Sequence, residues 1–263
     1  MTDQAAPRAR REWTVRRVIM AILALQLGMA VILAGRDLVA SLPTLLSPTR
    51  QPALDTPVVP GDQTRRYRPA DLPARQIQDP DRQTPLPDPG QMPSRLRFTP
   101  EGDSLLITGT IAAGDGARFA GWLGDNTAPA TIRLHSPGGS VTDALAIGRA
   151  IRTANATTVM EPGDICLSAC PYMLAGGTTR TIPDDAMVGV HQHYFGENTA
   201  LPAFLAVSDI QHGQAEVMDY LDTMGIDVRV MRHALATPPA DIYILLPEEL
   251  VEYGFVGEEA ADG

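Results

Sequence analysis

The C-terminal part of the chain, from about Arg97 to Gly257, predicts an α/β domain, and three observations carry that reading. Short β-rich runs alternate with helix-period segments. Glycines sit where one kind of run passes into the other. Hydrophobic content is 44% with only 5% aromatics, enough for a core built from aliphatic side chains.

The elements follow in order. Residues 104–108 (SLLIT) and 130–135 (ATIRLH) read as strands. Between them Phe119, Trp122 and Leu123 share one helical face. Val141, Ala144, Leu145, Gly148 and Ile151 recur at helical spacing, which predicts a helix over 140–154. Residues 157–160, 179–182 and 187–190 read as strands, a helix is expected to start at Ser168, and 200–223 and 228–235 read as helices.

The N-terminal part differs. Five arginines, Arg8, Arg10, Arg11, Arg16 and Arg17, precede an apolar run over 18–35 whose only polar side chain is Gln26. At 1.5 Å per residue that run spans roughly 27 Å as a helix, close to a bilayer core. A cleaved signal peptide begins the same way; the length of the run and the lack of a small-x-small site after it favour an anchor. The arginines then place the N-terminus inside and the domain outside. The organisation expected is a basic N-terminus over 1–17, a transmembrane signal anchor over 18–37, a disordered spacer over 38–96 and a domain over 97–263. The spacer reading rests on 13 prolines between residues 43 and 100, which deny helix and sheet hydrogen bonds.

Charge narrows the partners. Residues 1–97 hold 14 Arg against 9 acids, and residues 98–263 hold 7 Arg against 22 acids. An acidic domain repels phosphate backbones, so nucleic acid is not an expected partner. The chain carries no lysine. It has no zinc-type Cys/His spacing, Walker loop or dinucleotide fingerprint.

Four segments carry candidate chemistry. Residues 136–141 read SPGGSV: Gly138 and Gly139 allow a tight turn before a helix, and their N–H groups could hold an oxyanion. Residues 166–170 read CLSAC, placing the Ser168 hydroxyl ahead of an apolar run, with the Ala169 amide behind it. An N-cap serine has the same appearance. His191-Gln192 ends a strand, and His193 on the same expected face competes with it as base. Asp241, before PEELVEYG at 247–254, supplies a possible orienting acid, although a surface Asp in a Pro-rich turn looks no different.

Taken in order, SPGGSV, CLSACPYMLAGG, IPDDAMVGVHQ and PEELVEYG resemble the Clp-protease proteolytic-subunit family, over about 160 residues. The resemblance is closest to a periplasmic, membrane-anchored branch. It implies a ClpP/crotonase-type spiral of ββα units and a serine peptidase mechanism. Ser168 would be the nucleophile, His191 the base and Asp241 the orienting acid, with Gly138, Gly139 and Ala169 forming the oxyanion hole. It implies no metal or cofactor, a peptide or protein substrate, and self-assembly, for which 200–235 could supply an interface. Two departures stand out. The Ser168-to-His191 segment is two residues short of the family spacing, and Asp241 is one position off when counted back from Gly254. Membrane-tethered relatives with a Ser–Lys dyad are no guide, because the chain has no lysine. Two rivals remain: a catalytically silent scaffold of the same fold, and an acyl-CoA enzyme of the crotonase type, which the acidic domain and exported topology disfavour. The expected location is a bacterial inner membrane, single-pass, with the domain in the periplasm. Export also exposes Cys166 and Cys170 to oxidation. If both lie on one helix, four apart, their Cα atoms fall about 6 Å apart, within disulfide range. Two free buried thiols are the alternative.

Overall fold

A computed structural model of the protein describes residues 15–46, 54, 58–68, 92–193 and 203–257. The chain forms two units, 1–50 and 51–263. In the first, α1 (Val15–Leu46) is one continuous helix. Its described side chains, 16–32, are all exposed, including Leu25 at 71% and Val31 at 69%. Among the described residues no helix is long and apolar enough to cross a membrane. The expected apolar run continues to Gly35, beyond the last described side chain, Ile32.

The second unit is mixed α/β, built on two sheets. One orders its strands β2 (Arg97–Glu101), β3 (Ser104–Thr108), β4 (Thr131–His135), β5 (Thr157–Val159) and β7 (Arg180–Thr181). Its β2–β3 pair is antiparallel and the remaining pairs are parallel. The other orders β1 (Thr64–Arg66), β9 (Asp241–Ile244), β8 (Met187–Val190) and β6 (Ile165–Leu167). There β6 and β8 run parallel, and β9 is antiparallel to both β8 and β1. β3 is apolar on both faces, and its Leu105 and Ile107 are fully buried; each buried aliphatic of this size stabilises by roughly 2 kcal/mol. A parallel strand covered on two sides needs such a continuous run.

Helices cover the first sheet. α2 (Asp115–Asp125) buries Phe119, and α3 (Val141–Thr153) buries Ala144, Leu145, Ile147, Gly148 and Ile151, the expected periodic face. Ser140 caps α3, its Oγ accepting from Asp143 N at 3.3 Å. α4 (Cys170–Ala175) is fully buried, and it ends over two guanidiniums. Arg152 donates to the carbonyls of Ala175, Gly176 and Gly177, and Arg180 to those of Ala175, Gly177, Gly254 and Phe255. Orphan carbonyls at a buried helix end need such donors. Beyond α5 (Ala203–Thr223), a 3₁₀ turn (Val228–Val230) passes directly into α6 (Met231–Ala236), and α7 (Pro247–Glu252) opens with Glu249 accepting from Leu246 N.

Two expectations are corrected. The region 38–96 is not a featureless spacer: α1 reaches Leu46, β1 pairs with β9 in the register Thr64↔Tyr243, Arg65↔Ile242 and Arg66↔Asp241, and Leu54, Val58, Tyr67 and Met92 pack against Ile165, Leu167, Met187, Ile242 and Ile244. The local sequence permits this pairing. No proline lies between Pro60 and Pro69, so those residues keep the N–H donors that a strand requires. And Ser168 does not start a helix: α4 begins two residues later, at Cys170.

Candidate active site

Ser168 sits on the turn between β6 and α4 at φ 61°. Among the described residues only Asn155 shares this left-handed backbone without being glycine. Such a conformation is strained for a residue with a Cβ, and persists where its surroundings impose it. Here the Ser168 N–H donates to Gly189 O on β8 at 2.9 Å, and Leu167 N–H donates to Ser136 O at 3.0 Å. A disulfide joins Cys166 in β6 to Cys170 at the head of α4, with Cα atoms 5.0 Å apart, and so closes a short ring around Ser168. The two cysteines do not share a helix, as the spacing argument supposed; a strand–turn–helix brings them together instead.

The turn aims the Ser168 hydroxyl at His191, whose Nε2 is 2.7 Å from Oγ. His191 follows β8 and is 6% exposed. Its Nδ1 lies 3.2 Å from Pro239 O. A carbonyl only accepts, so Nδ1 carries the proton of the neutral ring and Nε2 is left to accept from Ser168. Gln192 straps the same region: its N–H donates to Thr237 O at 2.9 Å and its amide to Leu235 O at 2.7 Å. This gives the His-Gln pair a division of labour, one side chain toward the serine and the next onto the scaffold. Burial lowers the His191 pKa, with partial opposition from the backbone of Pro239 and Asp241, so the ring is neutral and basic at pH 7.

Gly138 and Gly139 lie against this pair. A Cβ on Gly138 (φ 96°) would stand 2.4 Å from Leu167 O and 2.6 Å from Ser168 Cβ. A Cβ on Gly139 (φ 141°) would stand 2.2 Å from Ile111 O. Both backbones therefore approach their neighbours as only glycine can. Gly138 N–H is spent on Ser136 Oγ at 3.1 Å, and Ser136 Oγ donates on to Gly109 O at 2.7 Å. The Gly138 carbonyl accepts from Ile111 N–H, and Ile111 O accepts from Ser140 N–H, each at 2.8 Å. Among the described residues no acceptor meets the N–H of Gly139 or of Ala169. The donors available to an oxyanion are thus Gly139 and Ala169, with Gly138 shaping the loop.

The structure does not bring Asp241 to the imidazole. Asp241 opens β9, and its carboxylate faces Arg66 at 3.9 Å across the β1–β9 pair. Its main chain, beside that of Pro239, is what neighbours His191. His193 is set apart as well: its Nε2 is 2.5 Å from the Tyr172 hydroxyl. A His–Asp pair outside this site, His135 Nδ1 to Asp164 Oδ1 at 3.1 Å, is buried where β4 ends and β6 begins.

Sequence reasoning missed two participants. The Pro239 carbonyl is a backbone group that no motif announces. Tyr67, from the segment after β1, packs edge-on against the His191 ring with centroids 4.8 Å apart and donates to Pro137 O. Burial pushes its pKa up to about 12, and the Ser168 side chain opposes that rise. The proline-free stretch between Pro60 and Pro69 was the available signal for Tyr67. Among the described residues no group of three or more His, Cys, Asp or Glu could hold a metal ion. No family model matches the chain, and no curated protein matches it.

Proposed function

We propose that this chain is a serine hydrolase of the Clp-protease proteolytic-subunit type, built as a spiral of ββα units and acting on the carbonyl of a peptide or an ester. The observation that carries the reading is the 2.7 Å contact between Ser168 Oγ and His191 Nε2 at a strained strand-to-helix turn. Nε2 takes the Ser168 proton as Oγ bonds to the carbonyl carbon. The oxygen gathers negative charge beside the N–H groups of Gly139 and Ala169. His191 returns the proton to the leaving nitrogen or oxygen as that bond breaks, and water repeats the sequence to free the acid. One oxyanion donor contributes on the order of 3 kcal/mol to lowering the barrier.

The orienting role falls to a carbonyl dipole rather than a carboxylate. Pro239 O holds the tautomer, and it stabilises the imidazolium less than a charged partner would. This one feature favours the scaffold reading. The test is hydrolysis of an activated ester and of unstructured peptides by the wild type and by Ser168→Ala. Loss of turnover in the variant supports the enzyme; equal rates, or none in either protein, leave the scaffold.

For placement we propose a single-pass anchor with the domain outside the cytoplasm. The arginine cluster before 18–35 and the disulfide support it. A reporter fused after Gly263 should be active only outside the cytoplasm, and activity inside would reject the topology.

A further inference from the structure

Tyr67 is a side chain the proposed reaction does not use, yet it touches two parts of the site: it packs on the base and is tied to the carbonyl that precedes Gly138 and Gly139. The backbone that carries it is pinned. Tyr67 N–H donates to Ala240 O at 2.9 Å, and Ile244 N–H donates to Gln63 O at 2.9 Å, on either side of the β1–β9 pair. Arg65 between them is fully buried, its guanidinium on the backbone carbonyl and carboxylate of Asp62. Val58 and Tyr67 pack against the small apolar cluster that includes Ile165, Leu167 and Ile242. The segment 58–68 is thus a docked strap, and its Tyr67 ring lies against the base, His191.

The Tyr67 hydroxyl has one hydrogen, and it is committed to Pro137 O. With that hydrogen placed on Pro137 O, the phenol oxygen has none left to offer an oxyanion at Ser168. A reacting carbonyl must also come to within about 3 Å of Oγ and of the Gly139 and Ala169 amides, and the Tyr67 hydroxyl is tied to the carbonyl of Pro137, two residues before Gly139.

We infer that the strap at 58–68 is self-inhibitory: Tyr67 covers the Ser168–His191 pair, and a substrate reaches the serine only when Tyr67 moves off Pro137. The inference rests on the serine-hydrolase reading. Because β1 is the outermost strand of its sheet, it can leave without breaking the β9–β8–β6 pairing. An extended peptide competing for the β9 edge would release it.

The experiment measures the rate at which a fluorophosphonate probe labels Ser168 in the full-length chain. It compares the wild type, Tyr67→Phe, Tyr67→Ala and Ser168→Ala. Labelling tracks the open fraction, so the expected order is wild type, then Phe, which lacks the tether to Pro137, then Ala, which also lacks the ring. The Ala variant should be roughly tenfold faster than the wild type or more. Ser168→Ala should not label. Wild type that labels, with both Tyr67 variants equal or slower, overturns the strap and leaves the hydrolase intact. Absence of labelling in every variant overturns both. If Tyr67→Ala does not fold, Tyr67→Phe still decides, since it keeps the ring and loses only the hydroxyl.

Discussion

At the scale of the residue, Ser168 is held where an L side chain is strained by about 1–3 kcal/mol, and the surrounding bonds offset that strain. The Gly189 carbonyl, the adjoining disulfide and Gly138 pressed against its Cβ leave the φ of 61° little alternative. Asp241 makes the sharpest residue-level prediction. Its carboxylate serves Arg66, so Asp241→Asn should change kcat/KM by less than about tenfold; an acid that orients the base costs about 10⁴ when replaced by its amide. A fall of a thousandfold would return Asp241 to the site. His191 makes the second. Burial lowers its pKa, so the protonated, inactive form is populated only below the ordinary 6.5. The pH profile of kcat/KM should rise through one ionisation below 6.5 and stay flat through neutrality, and a midpoint above 7 would contradict the burial argument. Ser168 and the glycine pair were legible as candidates from the residues, and the family resemblance supplied the roles of Ser168 and His191. The identity of the base was not: with His191 and His193 two apart, only the fold shows one ring on Ser168 and the other on Tyr172.

At the scale of the element, β6, the Ser168 turn and α4 act as one part. Closing so short a loop contributes only about 2 kcal/mol through chain entropy. The double replacement Cys166→Ala with Cys170→Ala should therefore leave a folded domain with a modestly lower Tm. Probe labelling of Ser168 should fall further than that stability loss alone explains, because the turn gains freedom at the nucleophile. Unchanged labelling would show that the strand and helix suffice without the bond. The expected strands and helices were legible wherever a period repeats, as in β3 with its buried run or α3 with its five-residue face. α4 was harder, because six fully buried residues carry no amphipathic pattern, and that is why its start was placed on Ser168. β1 was hidden by its setting, since three residues inside a proline-rich region become a strand only by pairing with β9, far along the chain.

At the scale of the whole molecule, the α/β class followed from the alternation of periods, whereas the division into two sheets did not. It depends on pairings such as β6 with β8 and β1 with β9, which no local pattern encodes. The buried His191 and the half-buried His193 couple this fold to pH. His193 is pushed down to about 4 by burial first and by His191 second, and His191 is lowered in the same direction. Both raise stability above the unfolded-state value near 6.5 and give it up as pH falls toward 4, because the unfolded chain then binds the protons that the folded chain refuses. Each group can contribute a slope of up to about 1.4 kcal/mol per pH unit in that window. Tm should therefore drop between pH 6.5 and 4, and His193→Gln should flatten the drop; a Tm independent of pH there would refute the lowering of these two rings. The most direct test of the central claim, that His191 activates Ser168, is the fluorophosphonate labelling rate of the intact chain with the adduct located by peptide mass. The account predicts an adduct on Ser168, and a rate that falls by two orders of magnitude or more, roughly the contribution of a general base, in His191→Ala but only slightly in His193→Ala. An adduct elsewhere, or equal rates in the wild type and His191→Ala, would contradict it.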